Sequence, residues 1–270
     1  MAGVEFNADN RIAAGLFTCV HRISEDRVRK VPRNEEPDHI QAVHNEANIY
    51  CLLGRNKRIA KCTSTGLTVD YVDLEWAENG NLEDYLRKHQ SSITSGFRSR
   101  IGRQMIEAVQ YIHRRGVIHS DLALRQYLLD DKYDARLSDF ASSSYGQHQA
   151  LGMENASHYL PRDPEEPNTI QSDIFALGST LYELMEGRAP YGEKTDDEIL
   201  SLFQNEKFPC TNEIPYGDVI LSCWKKTFRS ADEVLRAFDK DTLKQSSTAP
   251  KLLRPESFYS QARLMNAVNL

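Results

Sequence analysis

The sequence predicts an α+β chain in two parts: a small strand-rich part over residues 12 to about 75, and a larger helical part from about 80 to 240. Three observations predict it. Residues 12 to 31 read as strands around a turn, and Thr68 to Trp76 alternates as a half-buried strand does. From Asp38 to Leu53, and again from Phe97 to Arg115, apolar residues return at three- and four-residue steps, the helical period. Between them, VIHSDLALRQYLLDDKYDARLSDFA (Val117 to Ala141) reads strand, loop, strand, turn, strand, and delivers Asp121 and Asp139 at neighbouring strand ends.

The 270 residues suffice for one large domain or for two lobes sharing a cleft. With 40% hydrophobic and 27% charged residues, the composition is that of a soluble globular protein. A net charge of −6 argues against general nucleic-acid binding, which needs a basic face. No apolar run approaches the roughly 20 residues of a membrane span. The start, MAGVEFNADN, lacks the basic and apolar regions of a signal peptide. Cys19, Cys51, Cys62, Cys210 and Cys223 are scattered and odd in number, so buried free thiols in a reducing cytoplasm are expected rather than disulfides or zinc ligands.

In chain order, Ile12 to Val20 is apolar with small residues at its bend, and Gly15 lies there. Val28 and Lys30 end the next strand and, two apart, share a face. The following helix carries Ile40, Val43, Ala47 and Tyr50 as its stripe, with Glu46 mid-helix. After Trp76, Asn81 suits a helix N-cap with Asp84 in the first turn. Ile101, Met105, Val109 and Ile112 form the stripe of the Phe97–Arg115 helix, and Gly116 suits a left-handed cap. Ser142 to Pro161 is a polar loop, long enough inside a compact domain to suggest function. Ser172 to Gly178 opens another buried helix ending near Gly187, and Cys223-Trp224 with Arg229 marks the last helical region.

His119-Ser120-Asp121 followed by Gln126, and then Asp139-Phe140-Ala141, resembles at every spacing the HRDLxxxxN and DFG patterns of eukaryotic protein kinases. The resemblance covers residues 12 to about 240 and implies a bilobal kinase-like domain over 1–240 and a tail over 241–270. It implies that Lys30, fixed by Glu46, holds the α- and β-phosphates of ATP, and that Asp121 orients the acceptor hydroxyl. Arg125 then supplies a cation near the γ-phosphate. Mg²⁺, or alternatively Mn²⁺, falls to Asp139 and Gln126. Nucleotide contacts fall to Ala13, Gly15, Val20, Val28 and Leu128, and to backbone groups near Glu75 and Ala77, with Leu74 as gatekeeper. Asp173 would bond back to the catalytic-loop backbone.

Several letters depart from the family. Ala13 and Thr18 stand at glycine positions of the phosphate-covering loop. Gln126 replaces an asparagine, adding a methylene to a metal ligand, so weaker binding of a second metal is expected. Ser120 replaces the arginine that meets an activation-loop phosphate, so loop phosphorylation should have less control. Ala141 replaces the DFG glycine and should restrict positive φ at that pivot. Arg162 replaces the glutamate of the APE motif, leaving Asp163 as the expected partner of Arg229. Ala123 and Arg125 resemble the LAAR pattern of tyrosine kinases.

The resemblance therefore implies a Mg-ATP-dependent protein kinase acting on a protein hydroxyl, with neither nucleic acid nor a membrane span among its partners. The alternatives are a pseudokinase scaffold of the same fold and, less compatibly with the 142–161 loop, a small-molecule phosphotransferase.

Overall fold

The computed structural model describes residues 10–248 apart from 67, 69 and 164, with side chains up to residue 245. Arg11–Ala14 (β1), Thr18–Arg22 (β2), Arg27–Pro32 (β3), Cys62–Ser64 (β4) and Val72–Glu75 (β5) form an antiparallel sheet in the order β1-β2-β3-β5-β4. In register, Val20 faces Lys30, Lys30 faces Val72, and Val28 faces Leu74. The pleat sends Val28 and Lys30 to one face, and both are buried. Arg29 points the other way and grips Asp73 with two bonds of 2.6 and 2.8 Å. The expected strand Thr68 to Trp76 is shorter than the alternation suggested and begins at Val72.

Pro37–Leu53 (α1) packs on the buried face of this sheet. Proline at its start costs nothing, because the first N–H groups of a helix have no partner in any case. Val43, Ala47 and Tyr50 are buried as the stripe requires, but Ile40 is exposed. Burial in α1 begins only at Ala42, so the first turn projects past the sheet.

The larger part contains Leu82–His89 (α2), Ser95–His113 (α3), Ile170–Glu186 (α4), Asp196–Gln204 (α5), Gly217–Trp224 (α6) and Ala231–Thr248 (α7). Asn81 caps α2 by accepting the Asp84 N–H at 2.9 Å. The α3 stripe Ile101, Met105, Val109 and Ile112 is wholly buried. α4 is the central helix: Thr169 and Ser172 cap its start reciprocally, and Gly187 ends it in the left-handed region at φ 86°. α4 and α6 approach so closely that a Cβ at Gly178 would lie 2.6 Å from the Cβ of Cys223. α7 runs across residue 240, where the tail was expected to start, and continues to Thr248.

Between α3 and α4 lie Val117–Ile118 (β6), a 3₁₀ turn at Leu124–Gln126, Tyr127–Leu129 (β7), Ala135–Leu137 (β8) and Ser144–Tyr145 (β9). β7 pairs with β8, and β6 with β9. The two parts are stitched by backbone bonds from Ala60 N–H to Leu137 C=O and from Leu137 N–H to Arg58 C=O, both 2.8 Å. One hydrophobic core runs through both, from Val28 and Ile49 to Trp224 and Phe238. All five cysteines are free, but only Cys19 and Cys223 are buried; Cys51 and Cys210 are exposed and Cys62 is half-buried. Among the described residues no helix is long and apolar enough to cross a membrane.

Candidate active site

Lys30 reaches from β3 across the cleft and meets two acids. Its Nζ lies 2.6 Å from Glu46 Oε2 on α1 and 2.7 Å from Asp139 Oδ1 after β8. The Glu46 side chain has no exposed surface, whereas that of Asp139 is 44% exposed. Burying an ammonium is costly unless it is paired, and two carboxylates more than neutralise it. Burial pulls the Lys30 amine down, yet Asp139 and Glu46 together raise it on balance. Burial likewise pushes Asp139 up, but Lys30 overcomes this and holds it below the usual carboxylate range. At Glu46 burial wins, and the carboxyl is raised despite Lys30. Its other oxygen accepts the Phe140 N–H at 3.2 Å, which ties α1 to the loop bearing Asp139.

Asp173 in the first turn of α4 holds the loop carrying Asp121. It accepts the N–H groups of His119 and Ser120 at 2.8 and 3.0 Å, and His113 Nε2 lies 2.9 Å away. His119 is locked as well. Its Nε2 faces the Ser138 carbonyl at 3.0 Å, an acceptor, while its Nδ1 receives the Asp121 N–H at 3.3 Å. Those partners assign the proton to Nε2. Ser120 and Asp139 are both left-handed, at φ 69° and 64°. Such conformations in non-glycine residues persist only where surrounding bonds impose them.

Asp121 is gripped at both oxygens: Arg125 Nη2 donates to Oδ1 and Gln126 Nε2 to Oδ2, each at 2.5 Å. Burial raises its carboxyl, and this outweighs the lowering influence of Arg125. The expected catalytic set Lys30, Glu46, Asp121 and Arg125 thus converges with Asp139 and Gln126 at the junction of the two parts.

The residues expected at the nucleotide lie on or next to β1, β2, β3, β5 and β7. Ala13 and Gly15 are exposed, and a bond from Gly15 N–H to Thr18 C=O (2.8 Å) closes the turn between β1 and β2. Val28 and Leu74 are buried, Val20 and Leu128 half-buried. The Glu75 N–H is taken by Lys61 C=O at 2.9 Å, and the Ala77 C=O by Gly80 N–H at 3.0 Å. The Ala77 N–H makes no hydrogen bond among the described residues, which leaves one backbone donor for an adenine edge. A divalent cation is tested by its donor set: hard oxygens at a partly open carboxylate. Asp139 fits, with Oδ1 on Lys30 and Oδ2 without a hydrogen bond among the described residues. Gln126 spends its amide NH₂ on Asp121, leaving the carbonyl end of the amide for a ligand.

At the departures, Ala141 is not among the positive-φ residues, in keeping with an alanine at that pivot; the left-handed position of this turn is Asp139 itself. One expectation is corrected. Asp163 makes no ion pair with Arg229 among the described residues. Asp163 instead accepts the Glu165 N–H at 3.0 Å, and Arg229 donates its backbone N–H to Glu233 at 2.7 Å. Arg162 turns inward and pairs with Glu154 at 3.0 Å, adding Asn168 at 2.7 Å. Sequence reasoning missed Glu154, whose only signal is an acid eight residues before a cation in an acid's place. It also missed Ser143, whose hydroxyl donates to the His119 carbonyl at 2.9 Å and anchors the 142–161 loop.

This geometry accompanies clear sequence relatives. The chain is 28% identical to the serine/threonine-protein kinase PLK4 of Nematostella vectensis over 206 residues, covering 69% of this chain and 21% of that protein. It is 25% identical to PLK4 of Xenopus laevis over 217 residues, or 73% and 22% of the two chains. The serine/threonine-protein kinase mos of Patiria pectinifera is 26% identical over 269 residues, 88% of this chain and 76% of the relative. The chain thus spans about a fifth of the length of its PLK4 relatives. A family model described as protein tyrosine and serine/threonine kinase matches residues 9–232. A match over that much of the chain, on a fold that joins a five-stranded sheet to a helical body through Lys30, Glu46 and Asp139, makes this chain a member of the protein kinase family.

Proposed function

We propose that the chain transfers the γ-phosphoryl group of ATP to a hydroxyl of a protein. The observation that carries this reading is the single ammonium of Lys30 held 2.6 Å from Glu46 and 2.7 Å from Asp139, with Asp121 in the adjoining loop. Lys30 would bind the α- and β-phosphates, and Glu46 keeps it from collapsing wholly onto Asp139. The Ala77 N–H supports adenine binding on the same side. Asp139 and Gln126 would hold Mg²⁺, which when bound neutralises charge on the β- and γ-phosphates. Asp121 receives the proton of the attacking hydroxyl as the new O–P bond forms and the bond to the departing ADP oxygen breaks. Its raised carboxyl makes it a better proton acceptor than an ordinary aspartate.

The names of the relatives support serine or threonine as acceptor, whereas Ala123 and Arg125 lean toward tyrosine. Five free thiols fit a reducing compartment. The kinase domain extends over residues 1–240 in this reading. A scaffold without turnover has one observation in its favour: both oxygens of Asp121 are already engaged, by Arg125 and Gln126.

The test is incubation with labelled ATP, Mg²⁺ or Mn²⁺ and generic protein substrates, beside Asp121→Asn, followed by phospho-amino-acid analysis. Transfer that disappears in the variant supports the kinase. Absence of transfer with a preserved nucleotide-induced thermal shift supports the scaffold.

A further inference from the structure

Away from the Lys30–Asp139 cleft, a cavity of about 520 Å³ opens between the end of α1, the 54–57 loop and β4. That volume is within the range of small-molecule sites. No carboxylate lines it, although the chain as a whole carries a net charge of −6. Its charged lining is Arg55, Lys57, Lys61 and Arg136. Glu75 and Asp130, which are outside the lining, engage Lys61 and Arg136 at 3.1 and 2.8 Å. Arg55 and Lys57 are exposed and have no ion-pair partner among the described residues. The cavity therefore keeps uncompensated positive charge, which favours an anion there.

The same cavity holds thiols. Cys51, in the last turn of α1, is exposed, with its Sγ 4.0 Å from Thr65 Oγ1, while Cys62 on β4 is half-buried. Burial pushes the Cys62 thiol up to about 11, and its Sγ donates to the Ser64 carbonyl at 3.5 Å, which keeps it protonated. Cys51 is left as the nucleophile, since thiols react where they are open to solvent and surrounded by positive charge. The molecule carries its own opposite case. Cys210 is also exposed, but in a cavity lined by Glu186, Glu193 and Glu213, where Arg188 is paired with Glu186 at 3.1 Å. Two accessible thiols thus stand in fields of opposite sign.

We propose that Cys51 forms a mixed disulfide with a small anionic disulfide of the glutathione type, and that the cations of this cavity select it over Cys210. The Cys51 thiolate, its proton released to solvent, attacks one sulfur of glutathione disulfide. The new S–S bond to Cys51 forms as the old one breaks, and the departing glutathione thiolate takes up a proton. Cys51 is oxidised and one half of the reagent is reduced, so excess glutathione reverses the step. Glutathione carries more carboxylates than ammonium groups, which matches the lining. The site is separate from the phosphoryl-transfer cleft, and its modification does not require turnover.

The test is thiol exchange on the full, reduced chain without nucleotide, with peptide mass spectrometry following the adduct at each cysteine over time. With glutathione disulfide, Cys51 should be modified at least tenfold faster than Cys210. Cystamine brings the same sulfur chemistry with cationic ends, and should lower the ratio of the Cys51 rate to the Cys210 rate at least tenfold. Arg55→Glu combined with Lys57→Glu changes exposed positions, so the fold should survive, as a circular dichroism melt checks. This double variant should slow the reaction of Cys51 with glutathione disulfide at least fivefold and leave that of Cys210 unchanged. An equal or faster rate at Cys210 with glutathione disulfide overturns the inference. So does a rate ratio that is the same for both reagents, or an unchanged Cys51 rate in the folded double variant. If the double variant does not fold, the comparison of the two reagents on the unaltered chain decides alone.

Discussion

Arg162 donates to Glu154 at 3.0 Å, and the acid's side chain has no exposed surface. The family places a glutamate at position 162 and an arginine at 229 to brace this part of the molecule. Here the cation occupies 162 and has recruited a different acid, eight residues upstream. The brace survives as an ion pair internal to the segment, while Arg229 is released to cap the start of α7 through Glu233.

Removing one partner of a buried ion pair leaves an uncompensated charge, whereas removing both leaves none. Arg162→Met should therefore lower unfolding free energy by roughly 3–5 kcal/mol at neutral pH. Adding Glu154→Gln should recover most of that loss. Burial already raises the Glu154 carboxyl even with Arg162 present. An acid raised in the folded state holds protons that the unfolded chain has released, so stability falls as pH rises from the unfolded value, about 4.3, through the folded one. The defect of Arg162→Met should accordingly shrink on acidification. Urea titrations at several pH values measure it, and a double variant no more stable than the single one would remove the pair from the account.

Asp121 yields a prediction in kinetics. Burial raises its carboxyl and Arg125 lowers it. The acid limb of the kcat profile should lie above an ordinary aspartate's value of about 3.9 and move higher still in Arg125→Met. Asp121→Asn should lower kcat by roughly 10²–10⁴-fold. An acid limb at the same pH with and without Arg125 would detach Asp121 from the proton transfer.

Much of this arrangement is legible from residue order. The resemblance to the kinase patterns is what brought Lys30, Glu46, Asp121 and Asp139 into one set; period-2 and helical patterns say only which side chains of one element share a face. The α3 stripe, the cap at Asn81 and the left-handed Gly116 follow from the same local rules. Glu154 was not legible: its partner lies within an irregular loop, where no periodicity links position to direction. β4 escaped for a related reason, since three residues with mixed burial carry too short a pattern to read. The exposure of Ile40 depends on where the sheet ends, which lies outside the sequence of the helix.

Lys30 and Glu46 separate binding from support. A charge-assisted hydrogen bond contributes roughly 1.5–3 kcal/mol, so Lys30→Met should weaken a non-hydrolysable ATP analogue by about ten- to a hundredfold. Glu46→Gln keeps the ammonium and its 2.7 Å contact with Asp139, and should weaken the analogue less. Isothermal titration calorimetry gives both numbers; the reverse ranking would deny Lys30 the phosphate contact. The pH window follows from the directions. The stabilisation from the raised Lys30 is complete below about 10.4 and fades as pH climbs through its higher folded value. That from the depressed Asp139 is present above about 3.9 and is lost as pH falls through its lower folded value.

Gln126 is the position where one methylene decides between two duties. Its Nε2 reaches Asp121 at 2.5 Å, so the longer side chain still orients the carboxylate. The carbonyl end is then displaced relative to that of a shorter amide, and Mg²⁺ tolerates such displacement poorly because it demands near-octahedral geometry. Gln126→Asn should lower the Mg²⁺ concentration for half-maximal transfer several-fold at saturating ATP, while Gln126→Ala should raise it and also free one oxygen of Asp121. Mn²⁺, less exacting in geometry, should narrow the gap between the wild type and Gln126→Asn. Metal titrations of all three proteins at fixed free nucleotide decide the matter: identical Mg²⁺ dependence in the wild type and Gln126→Asn would mean that residue 126 serves Asp121 alone.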